Sequence, residues 1–221
     1  MRPASRPPAD PADELAVLVD EDDRVVGHAT RREVRRRKLL HRGVAVLCRN
    51  PAGEIYVHRR TDTKDVFPGL YDMFVGGMVT AGESYSSCAR RELAEELGIA
   101  GPRPRLLFKH RYRGHANPTW TAVFEVVWDG PIRHQPEEVA WGAYLDEGEL
   151  LAKLEGSGEP RRGAPVNRAA SVPPERESGA AGTGAPENQL ERWPFVPDGL
   201  EIYRRYLDER AAATARRSRR R

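Results

Sequence analysis

The stretch GGMVTAGESYSSCARRELAEELGI, residues 76–99, decides the fold. Its second half has helical spacing: Tyr85, Ala89, Leu93 and Leu97 fall on one face at about 100° per residue. Glu92 and Glu96 stand one turn apart at the edge of that face. Glu95 lies further round, beside an Arg91 that on the wheel neutralises only the Glu95 side. The first half carries different chemistry. Gly76 and Gly77 end a short apolar strand, Gly82 and Glu83 make a turn, and Gly98 sits at the C-cap position. The spacing predicts strand, loop and then a helix over residues 84–97.

Three carboxylates on one helix edge repel one another unless something positive sits among them. A solvated acidic face is one reading of such a string, because glutamate is a good helix former. A divalent cation such as magnesium, held through carboxylate oxygens, is the other. The glycine-rich loop before the helix favours the second, since it lets backbone approach a phosphate or a metal and expose its carbonyls.

Outward from this stretch, apolar runs separated by turn residues predict strands at 15–19, 25–26, 44–48, 55–58, 73–75, 104–110, 120–128 and 139–145. Asn50-Pro51-Ala52-Gly53 is turn chemistry that makes 55–58 the antiparallel partner of 44–48. The arginine-rich segment 30–43 reads as a short helix or an irregular crossing. A helix begins near residue 146. Another runs roughly over 199–209, where Leu200, Tyr203 and Leu207 share a face.

The chain divides into a disordered leader at 1–13, a domain at 14–154, and a flexible insertion at 155–188. A C-terminal helix at 189–209 docks on the domain, and a basic tail fills 210–221. The insertion holds six glycines, five prolines and no aromatic residue, too little to bury for folding. The fold class is α/β.

Composition excludes several classes. Charged residues make up 31% and the mean hydropathy is −0.67, polar but short of global disorder. The formal charge is +3, yet five of the last six residues are arginine, and without them it becomes −2. The basic balance belongs to the tail, so nucleic acid is expected to meet the chain only there. No apolar run is long enough to span a membrane, and residues 1–13 lack the apolar core of a secretory signal. The expected compartment is the cytoplasm. Cys48 and Cys88 make no disulfide framework and read as a reduced pair.

Gly77, five residues, Glu83, seven residues, Arg91-Glu92-Leu93, one residue, Glu95-Glu96, one residue and Gly98-Ile99 together resemble the complete signature of the Nudix hydrolases. The resemblance covers about residues 15–154 and implies an α/β/α sandwich around a mixed β-sheet. It implies that Glu92, Glu95 and Glu96 bind metal with the Gly77 carbonyl, and that Glu83 and Arg91 tie the loop to the helix. Mg2+, or Mn2+ in its place, is the implied cofactor. A later carboxylate often joins such a set. Here Glu137 and Glu138 are offered, and Glu138 is preferred because it lies directly before a strand. The general base is then Glu95 or Glu138. The implied reaction is hydrolysis of a diphosphate linkage in a small organic substrate, by water activated at the metal.

LLHR at 39–42, HRRTDTKDVFPGLYD at 58–72, and Trp193, Phe195, Pro197 and Asp198 resemble bacterial hydrolases related to isopentenyl-diphosphate isomerase. The chain departs from the isomerase itself. Gly76 stands where the catalytic cysteine is expected, Met78 and Val34 replace two metal histidines, and Asn117 and Thr119 replace two glutamates. Only His41 of that metal set is kept, and it suits a buried structural role or a substrate contact. Arg59, Arg60 and Lys64 suit either a phosphate-facing cluster or a solvated edge. Tyr112 and Trp120 suit either stacking on a base or packing. A catalytically silent, nucleotide-sensing module on the same fold is the rival reading, although no recognition helix is present. A homodimer is compatible with the family.

Overall fold

In the computed structural model the described residues are 10–115, 117–155 and 193–218. Nine strands alternate with four helices: β1 Leu15–Val19, β2 Val25–Thr30, α1 Arg31–Arg37, β3 His41–Arg49, β4 Ile55–Arg60, β5 Tyr71–Asp72, β6 Phe74–Val75, α2 Tyr85–Leu97, β7 Arg105–Tyr112, β8 Thr119–Val127, β9 Val139–Leu145, α3 Glu147–Glu155 and α4 Pro197–Ser218. The expected α/β fold with a mixed sheet is present.

β3 is apolar at nearly every position because it is covered on both sides. Val44, Val46 and Cys48 point to the α2 side, where they meet Ala89, Leu93 and Leu97. Ala45 and Leu47 point to the opposite side, toward Tyr203 and Tyr206 of α4 and Leu150 of α3. Strand periodicity of two thus sends alternate residues of one strand into two cores, and the helices close both faces.

The sheet divides into two ladders. β8 runs parallel to β3, from His41 opposite Thr119 to Arg49 opposite Val127, and β7 lies antiparallel beyond it. The second ladder is β9, β4 and β5. The expected hairpin of 44–48 with 55–58 is reduced to a single pairing, Arg49 with Ile55. β3 otherwise takes β8 and β6 as neighbours, and β4 takes β9 and β5. A strand buried on both faces, as β3 is, suits parallel pairing, which turn chemistry alone does not reveal. Met73 carries the chain from one ladder to the other and is fully buried there.

α2 is bounded as its residues dictate. The Ser84 side chain accepts from the Ser87 N–H while the Ser87 hydroxyl accepts from the Ser84 N–H, a capping box. Gly98 closes the helix at φ 67°. Loop 129–138 finishes the same end: the Arg133 and Gln135 N–H groups donate to the Leu97 and Glu96 carbonyls at 2.9 and 3.1 Å.

Three boundaries differ from expectation. Residues 10–13, assigned to the leader, form a 3-10 turn at Pro11–Asp13, and Asp10 and Asp13 both pair with Arg32. α4 runs on through 210–218, assigned to the tail, because the alanines at 211–213 are strong helix formers. α3 includes Glu155. Residues 1–9, 156–192 and 219–221 lie outside the described residues, and with them most of the expected leader and insertion. Trp193–Val196 re-joins the fold beside β5, where Tyr71 N–H donates to the Pro194 carbonyl and Val196 N–H to the Tyr71 carbonyl. Among the described residues no helix is long and apolar enough to cross a membrane.

Candidate active site

The site begins where β6 hands over to residues 76–80. A Cβ on Gly76 would sit against the Val44 carbonyl oxygen, and one on Gly77 against the Glu92 carboxylate. Only glycine permits both approaches. The Gly77 carbonyl accepts from Val44 N–H at 3.0 Å and keeps its second lone pair.

Arg91 is the hinge of the loop–helix junction. Its Nε and Nη2 reach the two Glu83 oxygens at 3.0 and 3.1 Å, and Nη2 also reaches the Met78 carbonyl at 3.3 Å. Burial opposes the Glu83 charge, but the Arg91 and Thr80 hydrogen bonds hold its carboxyl below the usual range. Nη1 reaches both Glu92 at 2.8 Å and Glu95 at 3.0 Å. The wheel gave Arg91 only to Glu95. A helical wheel places Cα positions, whereas a guanidinium on a flexible stem covers neighbours on either side.

Glu96 is different. It is 5% exposed, and among the described residues no donor reaches its carboxylate. Burial, and then the charges of Glu92 and Glu138, push its carboxyl well above the ordinary value, while Lys64 and Arg60 pull it down. Glu138 joins from loop 129–138, which hydrogen-bonds to the carbonyl of Glu96 itself, and Lys64 Nζ ion-pairs with Glu138. Glu137 is exposed.

Glu92, Glu96 and the Gly77 carbonyl are hard oxygen donors of the kind magnesium takes. A buried carboxylate with no donor calls for a nearby positive charge, so this donor set fits a divalent cation. As arranged, no three acidic, His or Cys side chains among the described residues converge into a ready cage. Arg91 and Lys64 occupy Glu92, Glu95 and Glu138 instead.

A cavity of about 140 Å³ adjoins Gly76, Gly77 and Met78. Arg60, Lys64 and His41 line it.

A NUDIX domain family model matches residues 39–164. The chain belongs to the Nudix hydrolase family. An uncharacterised Nudix hydrolase of Streptomyces coelicolor is 45% identical over 204 residues, covering 91% of this chain and 93% of that protein. The Nudix hydrolase YfcD of Escherichia coli K12 is 36% identical over 138 residues, 62% of this chain and 77% of its own length. Among solved structures, DR0079 from Deinococcus radiodurans superposes with a TM-score of 0.57 at 31% identity, covering 64% of this chain and 89% of that one. The chain is therefore a Nudix enzyme, of a family that hydrolyses acid anhydrides.

The Nudix signature residues Gly77, Glu83, Arg91, Glu92 and Glu96 come together, with Glu138 beside them. None of Glu92, Glu95, Glu96 and Glu138 lines the cavity itself; Glu95 differs in being half-exposed, and it is bonded to Arg91. Arg59 also faces away. It pairs with Asp62 at 2.7 Å, because successive strand residues point to opposite sides. Tyr112 is buried and Trp120 packs against the α2 core, donating to the Glu21 carbonyl, so neither lines the cavity. Sequence reasoning missed Arg31 and Arg35, which reach the cavity from α1, and Asp72. The four-residue spacing of the two arginines was the available signal. For Asp72 there was none.

Proposed function

We propose that this chain is a divalent-metal-dependent hydrolase of an organic diphosphate, in which Glu92, Glu96 and the Gly77 carbonyl hold the metal. The observation that carries the reading is Glu96, a buried carboxylate without a protein donor, one turn from a Glu92 whose carboxylate lies against Gly77 at the edge of a cation-lined cavity. A divalent ion bound there supplies charge neutralisation for the diphosphate and lowers the pKa of a water.

The chain's own residues do the rest. Arg60 and Lys64, and Arg31 and Arg35 opposite them, face the phosphate oxygens. Glu138, released from Lys64 when phosphate takes that ammonium, accepts the proton of the attacking water. It is preferred to Glu95, which is half-exposed and bonded to Arg91, because the Glu138 charge acts on Glu96. Glu83 and Arg91 hold the loop against the helix so that Gly77 and Glu92 keep their separation. Gly76 leaves no room for the cysteine that an isomerase would need at this place.

The test is magnesium-dependent release of monophosphate from nucleoside diphosphate sugars, dinucleotide polyphosphates, NADH, coenzyme A and prenyl diphosphates, with Glu96→Gln as the blank. Turnover by the wild-type protein that falls by at least about a hundredfold in Glu96→Gln is expected. Equal turnover by both proteins would overturn the metal-glutamate assignment. Tight binding without product would favour a silent nucleotide-binding module.

A further inference from the structure

The cavity beside Gly77 is lined by more than cations. α4 closes it with Asp198, β5 contributes Asp72, and residues leading into β8 contribute Asn117. Asp72 is buried and Asp198 half-buried, and neither has a cation within 4 Å among the described residues. Asp72 Oδ1 accepts the Phe74 N–H at 3.0 Å, while Asp198 Oδ2 accepts from Asn117 at 3.2 Å. Burial, and then the charge of Asp198, push the Asp72 carboxyl up to about 8.

His41 supplies the independent observation. It is 2% exposed, lines the same cavity, and its Nδ1 lies 2.9 Å from the Leu39 carbonyl oxygen. A carbonyl only accepts, so Nδ1 carries the hydrogen. Burial, opposed by the Leu39 hydrogen bond and reinforced by nearby arginines, lowers its pKa to about 4 and keeps the ring neutral. Nε2 therefore bears a lone pair, and no donor among the described residues reaches it. An acceptor without a protein donor, on a buried ring that lines the cavity, is a group prepared for a ligand.

We propose that this cavity is the subsite for the organic part of the substrate, and that it selects a group rich in hydrogen-bond donors, a sugar hydroxyl or an exocyclic amine. His41 Nε2 and the Asp198 carboxylate are the accepting atoms, and an isoprenoid chain is rejected. The inference rests on the hydrolase reading for the position of the phosphates. An apolar chain in this cavity would strip water from His41 and the two aspartates and return no hydrogen bond, the kind of mismatch that binding sites discriminate strongly.

The experiment uses the full chain. Binding of uridine monophosphate, glucose 1-phosphate and dimethylallyl monophosphate is measured by calorimetry without added metal, on the wild type and on His41→Phe, His41→Gln and Asp198→Asn. The nucleotide and the sugar phosphate distinguish the amine from the hydroxyl source. At least one of them should bind about tenfold or more tighter than the prenyl compound. His41→Phe should erase that preference, while His41→Gln and Asp198→Asn, which keep an amide oxygen as acceptor, should retain part of it. In turnover of the matching diphosphates, the loss in these variants should fall on KM more than on kcat.

Equal or tighter prenyl binding, no binding of any of the three, or a preference that survives in full in folded His41→Phe each overturns the proposal. Thermal melts establish which variants fold, and the wild-type comparison decides alone where they do not. A polar preference without magnesium-dependent turnover would instead sink only the hydrolase reading. Glu96-dependent turnover without polar preference would sink only this subsite.

Discussion

At the scale of single residues, Gly77 and Arg91 carry more of the site than their size or charge suggests. Gly77 lets backbone lie against the Glu92 carboxylate, and Gly77→Ala places a methyl on those oxygens. Hydrolysis should fall at least about tenfold in Gly77→Ala with little change in melting temperature, because the methyl displaces the Glu92 carboxylate and empties no core. A rate within a factor of two of wild type would remove Gly77 from the site. Arg91 binds three glutamates with one guanidinium, and a lysine there is a point charge without the fork. Arg91→Lys should cost about 1–3 kcal/mol of stability in urea melts and release loop 76–83 from the helix. An unchanged midpoint would show that the fork does nothing for the junction. The identities of these residues were legible from spacing alone. The reach of Arg91 to Glu92 was not, since side-chain length lies outside what a wheel describes.

At the scale of elements, α2 was legible from end to end, because its apolar stripe and glycine cap are local features. Its capping box uses Ser84 and Ser87, and Ser84→Ala should lower stability by about 1 kcal/mol. α4 was legible as a docking helix but not in length. Its inner face buries Ile202, Tyr203 and Tyr206 against the sheet, and Tyr203→Ala should cost about 3–5 kcal/mol by calorimetry. A loss below about 1 kcal/mol would mean that α4 is not part of the core. Cutting the chain after Ala215 removes only exposed or undescribed residues, so hydrolysis should be retained. The β3–β8 pairing was not legible. Partners separated by 78 positions leave no mark in either strand, and the nearby turn at 50–53 pointed to β4 instead.

At the scale of the whole molecule, buried titratable groups shape stability against pH, His41, His58 and Asp72 among them. His41 and His58 have their pKa values lowered by burial to about 4 and about 3, so the unfolded chain binds protons that the native state refuses. Stability should therefore fall as pH drops below about 6.5. Asp72 has the opposite sign. Its carboxyl, raised to about 8 by burial and Asp198, keeps a proton that the unfolded chain releases, so stability should fall as pH climbs from about 4 to about 8. Melting temperatures from pH 4 to 9 should pass through a maximum near pH 6, and Asp72→Asn should flatten the alkaline limb. Equal alkaline slopes in the two proteins would remove Asp72 as its cause. By itself the sequence determined the glutamate helix, its caps, the loop before it and the family, because helical period and a contiguous signature are short-range properties. Only the tertiary structure decided that His41, Asp72, Asn117 and Asp198 share one cavity with the arginines of α1. Those residues come from five separate segments, and what brings them together is the division of the sheet into two ladders and the closure of α4 over the gap, neither of which any local spacing encodes.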